Sequence, residues 1–335
     1  MNKIYIVTGA FGHLGNTIVR KLVALGETVR GLVLPNETSP ALEGYNVEVV
    51  KGNVCDINSM EPLFACEEPT EFYVIHTAGI VSISSRYLQK VYDVNVNGTK
   101  NIIELCKRNH VKRFVHVSSV HAIPEPDNNQ TIHEINQFNE KSVVGLYAKT
   151  KAIATQLVLD SVKDGLDAVI VHPSGIIGPN DYGHAHLTQL IMDYLDGRLT
   201  ACVKGGYDFV DVRDVADGII SACHNGEKGE CYILSNRYCS IPDLLNNLHQ
   251  ISGKKKIKTI LPLWIAKATA PLSEIYYKLK KQPPLYTSYS LHTLKSNANF
   301  THKKANRQLG YQPRDLKLTL KDTVDWLRIN RRVKA

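Results

Sequence analysis

Apolar residues in the first half of the chain fall in short runs, each followed by a stretch in which they recur every third or fourth position. Runs such as Ile4-Tyr5-Ile6-Val7 are rich in β-branched and aromatic residues and too short for helices. They predict strands over 3–8, 28–34, 46–51, 72–77, 113–118 and 167–172. The intervening stretches predict helices over 13–25, 57–66, 87–109 and 142–164. The first helix is the clearest: Leu14, Ile18, Leu22 and Leu25 make an apolar stripe, and Gly26 stops it. Strands alternating with helices of this length predict an α/β protein, a doubly wound parallel sheet covered on both faces. After residue 173 the pattern loosens, with prolines at 173, 179, 242, 262, 271, 283, 284 and 313. A smaller, mixed domain is therefore expected over 173–335, after a first domain over 1–172. The chain is expected to return to the sheet within 209–235, through "YDFVDV" and "ECYIL".

Composition narrows this little. The 335 residues, 43% hydrophobic and 21% charged, suit one large domain or two smaller ones. The most apolar late stretch, "ILPLWIAKATAPL" (260–272), is broken by Lys267 and two prolines and is a poor membrane span. The first strand begins at once, leaving no room for a signal peptide, so a cytoplasmic protein without an integral membrane segment is expected. The seven cysteines are scattered, with no C-x-x-C and no zinc-ligand spacing, which implies reduced, packed thiols and no metal. The net charge of +8 gathers in late clusters such as "GKKKIK" (253–258) and "RINRRVK" (328–334). Aromatics are not interleaved with them as a nucleic-acid stacking surface requires, so they are expected to be solvated helix faces.

Two constellations carry chemistry. The first is "TGAFGHLG" (8–15), between the first strand and the first helix, with Gly9, Gly12 and Gly15 every third residue. Gly9 permits a tight turn, Gly12 lets the backbone approach a pyrophosphate, and Gly15 allows close helix–strand packing. The helix N-terminus then offers N–H groups to the phosphates, which places Phe11, His13 and Leu14 beside a dinucleotide. A glycine turn kept only for packing is the competing reading. The second constellation is "YAKTK", where Tyr147 and Lys151 stand four residues apart and so on one helix face. An ammonium near a phenol favours phenolate and lowers its pKa, so Tyr147 can exchange a proton with a substrate oxygen while hydride moves. Ser119, closing "VHVSS", can hydrogen-bond the same oxygen.

In this order the segments resemble the extended short-chain dehydrogenase/reductase family over nearly the whole chain. "TGAFGHLG" resembles its T-G-x-x-G-x-x-G loop. "GNVCD" (52–56) resembles its G-D-x-x-D stretch, with Asn53 and Val54 beside the adenine, and "HTAG" (76–79) resembles the segment under the cofactor ribose, with Thr77, Ala78 and Gly79. "NVNGT" (95–99), with Asn97, is similar to N-x-x-G-T, and the Ser-Tyr-Lys triad falls on Ser119, Tyr147 and Lys151, with Val117 nearby on the cofactor. "HPSGIIGP" (172–179) resembles the turn near the nicotinamide, placing His172, Pro173, Gly175 and Ile176 there, with His172 in place of the usual Arg. "NFTHKKANRQLGYQP" (299–313) resembles the family's C-terminal signature. The resemblance implies a Rossmann domain, an NAD(P) cofactor, a small-molecule carbonyl or alcohol substrate, and a homodimer through the helices around 87–109 and 142–164.

Departures from the family's patterns point to a branch. Sugar-nucleotide enzymes carry Arg where Tyr207 precedes Asp208 and Phe209, and an uncharged Tyr cannot replace a guanidinium fork on a diphosphate. Sugar-nucleotide dehydratases carry Asp-Glu where Val120 and His121 stand. The chain is more similar to the dihydroflavonol-reductase-like and 3β-hydroxysteroid-dehydrogenase-like branches, which implies reduction of a hydrophobic aldehyde or ketone, or oxidation of the alcohol. The alternatives are a nucleotide-sugar epimerase or dehydratase, and a non-catalytic dinucleotide sensor. Val81, Val120, His121 and Tyr207 are expected on the substrate side, with His121 either a second proton relay or a wall residue. The aromatic-rich "SEIYYKLKKQPPLYTSYS" (273–290) reads as a lid or core helix, with a pocket lining or a membrane-surface contact as the other readings. The second strand ends in Val33 and Leu34, without the Asp typical of NAD enzymes or the Arg of NADP enzymes. Without that acid a 2′-phosphate is not repelled, and Asn36, Thr38 and Ser39 can donate to it, which favours NADP over NAD. Arg30 lies within the strand, out of reach.

Overall fold

A computed structural model describes residues 2–84, 87–126, 130–262, 264, 288–330 and 333. Strands β1 (Asn2–Thr8), β2 (Thr28–Val33), β3 (Glu48–Lys51), β4 (Thr70–His76), β5 (Arg113–Val117) and β6 (Ala168–Pro173) form one parallel sheet. After β7 (Gly175–Ile177), β8 (Ala201–Val203) and β9 (Gly206–Asp211), strand β10 (Cys231–Leu234) returns to it. The order is β3-β2-β1-β4-β5-β6-β10. The strand order reverses at β1, so β1 and β4 diverge into the crevice at the C-terminal edge where such sheets hold ligands.

Successive residues feed two cores. Ile4 and Ile6 of β1 join one cluster, and Tyr5 and Val7 join the other, so the strand is buried on both faces, as parallel sheets require. Helices α1 (His13–Ala24) and α6 (Val212–Asn225) pack together over the second cluster, and α1 contributes Ile18, Val19 and Leu22. At about 1.5–3 kcal/mol for each fully buried aliphatic side chain, these three residues anchor the helix that follows the glycine loop. Leu25, the last residue of the predicted stripe, caps the helix and is exposed.

The opposite face is covered by α2 (Gln89–Tyr92), a π-turn over Asp93–Asn97, α3 (Gly98–Arg108) and α4 (Leu146–Lys163). A Cβ at Gly98 would stand 2.7 Å from Val54 Cγ2, so the glycine is what lets α3 pass close to the loop after β3. The helix predicted over 57–66 is a 3-10 helix, Asn58–Phe64, because Pro62 inside it has no N–H to donate to an α-helical ladder. "YDFVDV" does not return to the main sheet: β10 occupies the free edge of β6. Strand β9 instead pairs with β7 and with β11 (Arg237–Ser240) in a separate three-stranded sheet beside the crevice. The remaining elements are α5 (His186–Leu195), α7 (Ile241–Ser252), β12 (Thr259–Leu261), α8 (Ser288–Thr293), α9 (Lys303–Leu309) and α10 (Leu316–Ile329). Apart from 288–290 at the start of α8, the aromatic-rich 273–290 stretch lies outside the described residues. Among the described residues no helix is long and apolar enough to cross a membrane, and no group of three or more His, Cys, Asp or Glu side chains is placed to hold a metal.

Candidate active site

The glycine loop is held by its own main chain. Gly9 has φ +71°, a conformation that suits glycine, and the Gly9 and Ala10 amides both donate to the Leu32 carbonyl of β2 at 3.0 Å. The Gly12 amide donates back to the Gly9 carbonyl (2.9 Å), and a Cβ at Gly15 would stand 2.1 Å from that same oxygen. Helix α1 begins here with no side-chain cap and no acidic residue in its first turn. Its first amides therefore face the crevice, and the dipole favours an anion there. A pyrophosphate fits this cradle. His13 donates from Nε2 to the Pro179 carbonyl (3.0 Å) and ties the loop to the segment after β7.

Beneath the loop, buried polar groups fix "HTAG". The Thr77 hydroxyl donates to the Thr8 carbonyl (2.6 Å), and the Ala78 amide donates to Thr8 Oγ1 (3.1 Å). His76 bonds the Thr8 and Thr99 hydroxyls at 2.7 and 3.2 Å. Burial, with Lys151 nearby, lowers its pKa to about 3, so the ring is neutral. At the adenine end, Asn53 Oδ1 accepts from the Cys55 amide (3.0 Å), which shapes the turn.

The triad comes from three elements. Ser119 ends the segment after β5 and caps a short 3-10 turn, Val120–Ala122, by accepting from the His121 amide at 3.2 Å. Tyr147 lies in the first turn of α4 and Lys151 one turn on, and all three line the cleft. The Lys151 ammonium donates to the Val117 carbonyl (2.8 Å), and burial lowers its pKa to about 8. Burial pushes the Tyr147 phenol up to about 12, with a hydrogen bond to Ser119 pulling the other way. In this structure burial, rather than the lysine one turn on, sets the phenol, and the Lys151 ammonium gives one of its three donors to Val117.

The cleft has a volume of about 1980 Å³, above the usual range for a single small ligand of roughly 300–1,000 Å³. Most sequence-predicted residues line it. Of those expected to hold the cofactor these are Gly9, Gly12, His13, Leu14, Gly15, Leu34, Asn53, Val54, Thr77, Ala78, Gly79, Asn97, Val117, Pro173, Gly175 and Ile176, and of those expected against the substrate Val81, His121 and Tyr207. Three predicted residues do not. The Phe11 side chain packs against the core under the loop. His172 is fully buried, stacked on Phe138 at 5.3 Å, and donates from Nδ1 to the Ser119 carbonyl (3.0 Å), supporting the triad from behind. Val120 is buried and faces a smaller cavity of about 250 Å³ on the far side of His121 and Tyr207.

His121 and Tyr207 form one unit. Their rings stack at 5.4 Å and 13°, and the Tyr207 hydroxyl and His121 Nε2 share a hydrogen bond of 3.1 Å. The His121 ring meets Tyr147 edge-on at 6.0 Å, and burial lowers its pKa to about 4. Two supports escaped the sequence reading. Asn95, which opens "NVNGT", accepts from the Ile80 amide (2.8 Å) and donates to Thr150 Oγ1 (3.1 Å), joining the loop after "HTAG" to α4. Asp208 accepts from Ser174 Oγ (2.5 Å) and from the Asn236 amide (2.9 Å), and burial holds its carboxyl up at about 6. The motif around Asn95 was visible, but its partners are distant in sequence.

Residues 5–235 match the NAD dependent epimerase/dehydratase family. The chain belongs to that family. It is therefore an NAD(P)-dependent enzyme of the extended short-chain dehydrogenase/reductase type, an oxidoreductase with a Rossmann fold. Among its relatives, sterol demethylase protein B of Methylococcus capsulatus is 32% identical, over 96% of this chain and 98% of the relative. A putative dihydroflavonol 4-reductase of Synechocystis is 30% identical, over 100% and 97%. The solved structure of gox2253 superposes with a TM-score of 0.83 at 28% identity, covering 99% of this chain and all of that one. The family match ends at residue 235, before β11 and the elements that follow it.

Proposed function

We propose that this protein reduces a bulky hydrophobic ketone or aldehyde, or oxidises the corresponding alcohol, with Tyr147 as acid and base. Residues 1–172 with β10 form the cofactor domain in this reading, and the rest of 173–335 closes over the substrate. The observation that carries it is the make-up of one continuous cleft. It is lined by a main-chain anion cradle, by Ser119, Tyr147 and Lys151, and by the apolar Leu187, Leu190, Phe209, Leu291 and Leu294, with Arg198 of the same lining paired to Asp193. Tyr207 stands on this wall where a diphosphate would call for a cation. The two curated relatives, named for a sterol and a dihydroflavonol, agree with a large ring-bearing substrate.

When bound, the nicotinamide supplies or accepts the hydride. Tyr147, held near 12, keeps its proton across ordinary pH and donates it to the substrate oxygen during reduction. Ser119 Oγ already accepts from the His121 amide, so its own O–H remains to be given, to Tyr147 at rest and to the substrate oxygen in turnover. Lys151 reaches the cleft beside Gly79, where a Cβ would stand 3.5 Å from the ammonium, and is placed to bind the ribose hydroxyls. The neutral His121–Tyr207 pair forms the wall beside Tyr147 and orients the carbonyl.

The test is consumption of reduced cofactor against a panel of aromatic and aliphatic aldehydes, polycyclic ketones and a keto nucleotide-sugar. Turnover of hydrophobic carbonyls is expected, falling ~10²- to 10⁴-fold in Tyr147→Phe while dinucleotide affinity is kept. Indifference to Tyr147→Phe, or turnover of the nucleotide-sugar alone, overturns the reading.

A further inference from the structure

Position 33 or 34, where an acid would grip the adenosine ribose, holds Val33 or Leu34, yet the fold returns a carboxylate to that place. "LPNE" (34–37) is a tight turn: Pro35 sets its first corner, and the Glu37 amide donates to the Leu34 carbonyl at 3.0 Å. The chain thus reverses within three residues, and Glu37 Oε2 accepts from the Leu34 amide at 3.3 Å. Glu37 lines the cleft with Leu32, Val33 and Leu34, at the end where Gly52 and Asn53 close the adenine side.

Of the lysines and arginines among the described residues, Lys90, Lys151 and Arg198 line the cleft, and Lys51, beside Val33 in the sheet, does not. The Arg30 guanidinium points away, bonded to Glu48 (2.6 Å) and to the Leu63 and Ala65 carbonyls (2.9 and 2.8 Å). Lys90 lies near Cys55, with Asp93 beside it. Ser39, expected to donate to a phosphate, instead accepts from the Ala41 amide (3.2 Å) as a helix cap. Asn36 and Thr38 are exposed and do not line the cleft.

We propose that Glu37 is the cofactor-selecting residue: its carboxylate accepts the 2′- and 3′-hydroxyls of the adenosine ribose and repels a 2′-phosphate, so the protein takes NAD(H) in preference to NADP(H). This reverses the preference that the missing strand-end acid suggests from sequence, and it rests on the dinucleotide reading of the cleft. Two hydroxyl donors matched to one carboxylate favour the unphosphorylated ribose, and two like charges at contact distance disfavour the other.

The experiment is equilibrium titration of the full chain with NADH and with NADPH, read by calorimetry or nucleotide fluorescence, for wild type, Glu37→Gln and Glu37→Lys. Glu37 is exposed, so the variants are expected to fold, and circular dichroism checks it. Wild type is expected to bind NADH at least ~10-fold more tightly than NADPH, a gap worth ~1.4 kcal/mol. Glu37→Gln should narrow that ratio, and Glu37→Lys should invert it, with NADPH binding weakened by salt. A wild type that prefers NADPH, or a ratio unmoved in both variants, overturns the assignment of Glu37 while leaving the dinucleotide reading intact. Failure of both nucleotides to bind wild type overturns both.

Discussion

The two walls of the cleft are built from different materials. The cofactor wall is mostly backbone: the Gly9, Ala10 and Gly12 amides fix the loop, and a Cβ at Gly15 would strike the Gly9 carbonyl at 2.1 Å. The wall proposed to meet the substrate is side chains from several elements, with Val81, His121, Tyr207, Phe209 and Leu291 at intervals along the sequence. A backbone site tolerates almost no change at a few positions, whereas a side-chain site can change shape residue by residue.

That difference can be broken experimentally, first at its strongest point. Gly15→Ala should force the loop to shift; at about 1–3 kcal/mol for overpacking and ~1.4 kcal/mol per decade, NADH affinity should fall ~5- to 150-fold. A titration showing unchanged affinity would mean that the loop does not need this close approach. Gly183→Ala, also on the cleft lining, is the matched control for steric fit. There a Cβ would meet only Asp181 Oδ1, at 3.8 Å, and NADH affinity should change by less than about twofold, since ordinary contact carries no overpacking cost.

Between these two lies the seam, where Asp208 of the substrate-side strand β9 holds Ser174 at the start of the cofactor turn. Its carboxyl is raised from 3.8 to about 6 in the folded protein. The folded state therefore binds the proton more tightly, and this group's contribution to stability is full below about 4 and is lost as pH rises through 6. Asp208→Asn cannot titrate, so the variant should gain about 1–1.5 kcal/mol relative to wild type between pH 5 and pH 7. Urea midpoints of both proteins at the two pH values measure this, and a difference independent of pH would contradict it.

Much of the cofactor wall was legible because it depends on local constraints. Three glycines at fixed spacing between an apolar run and an amphipathic helix leave few conformations, and the structure has the loop they imply. The strands of the parallel sheet were readable for a similar reason, being continuous apolar runs buried on both faces. What was missed depends on contacts between distant segments. The place of β9 could not be read from "YDFVDV", because it follows from β10 taking the edge of β6. His172 looked like a cofactor contact, and only the fold shows it stacked on Phe138 behind Ser119. Glu37 went unnoticed because the acid was sought at the strand end, and a turn of four residues was needed to bring it back. The phenol of Tyr147 was expected low from its neighbour and is high from burial, a quantity that spacing alone does not contain.

Net hydride transfer to a carbonyl carbon outside the cofactor separates a reductase from an epimerase. It is tested most directly with NADH carrying deuterium at C4 of the reduced ring, on each face in turn, and the hydrophobic carbonyl that the protein turns over fastest. Mass spectrometry of the alcohol is expected to show one deuterium on the carbinol carbon from one face only, in step with cofactor consumed. An unlabelled product, with the deuterium still in the cofactor after many turnovers, would contradict the account and point to internal hydride return instead.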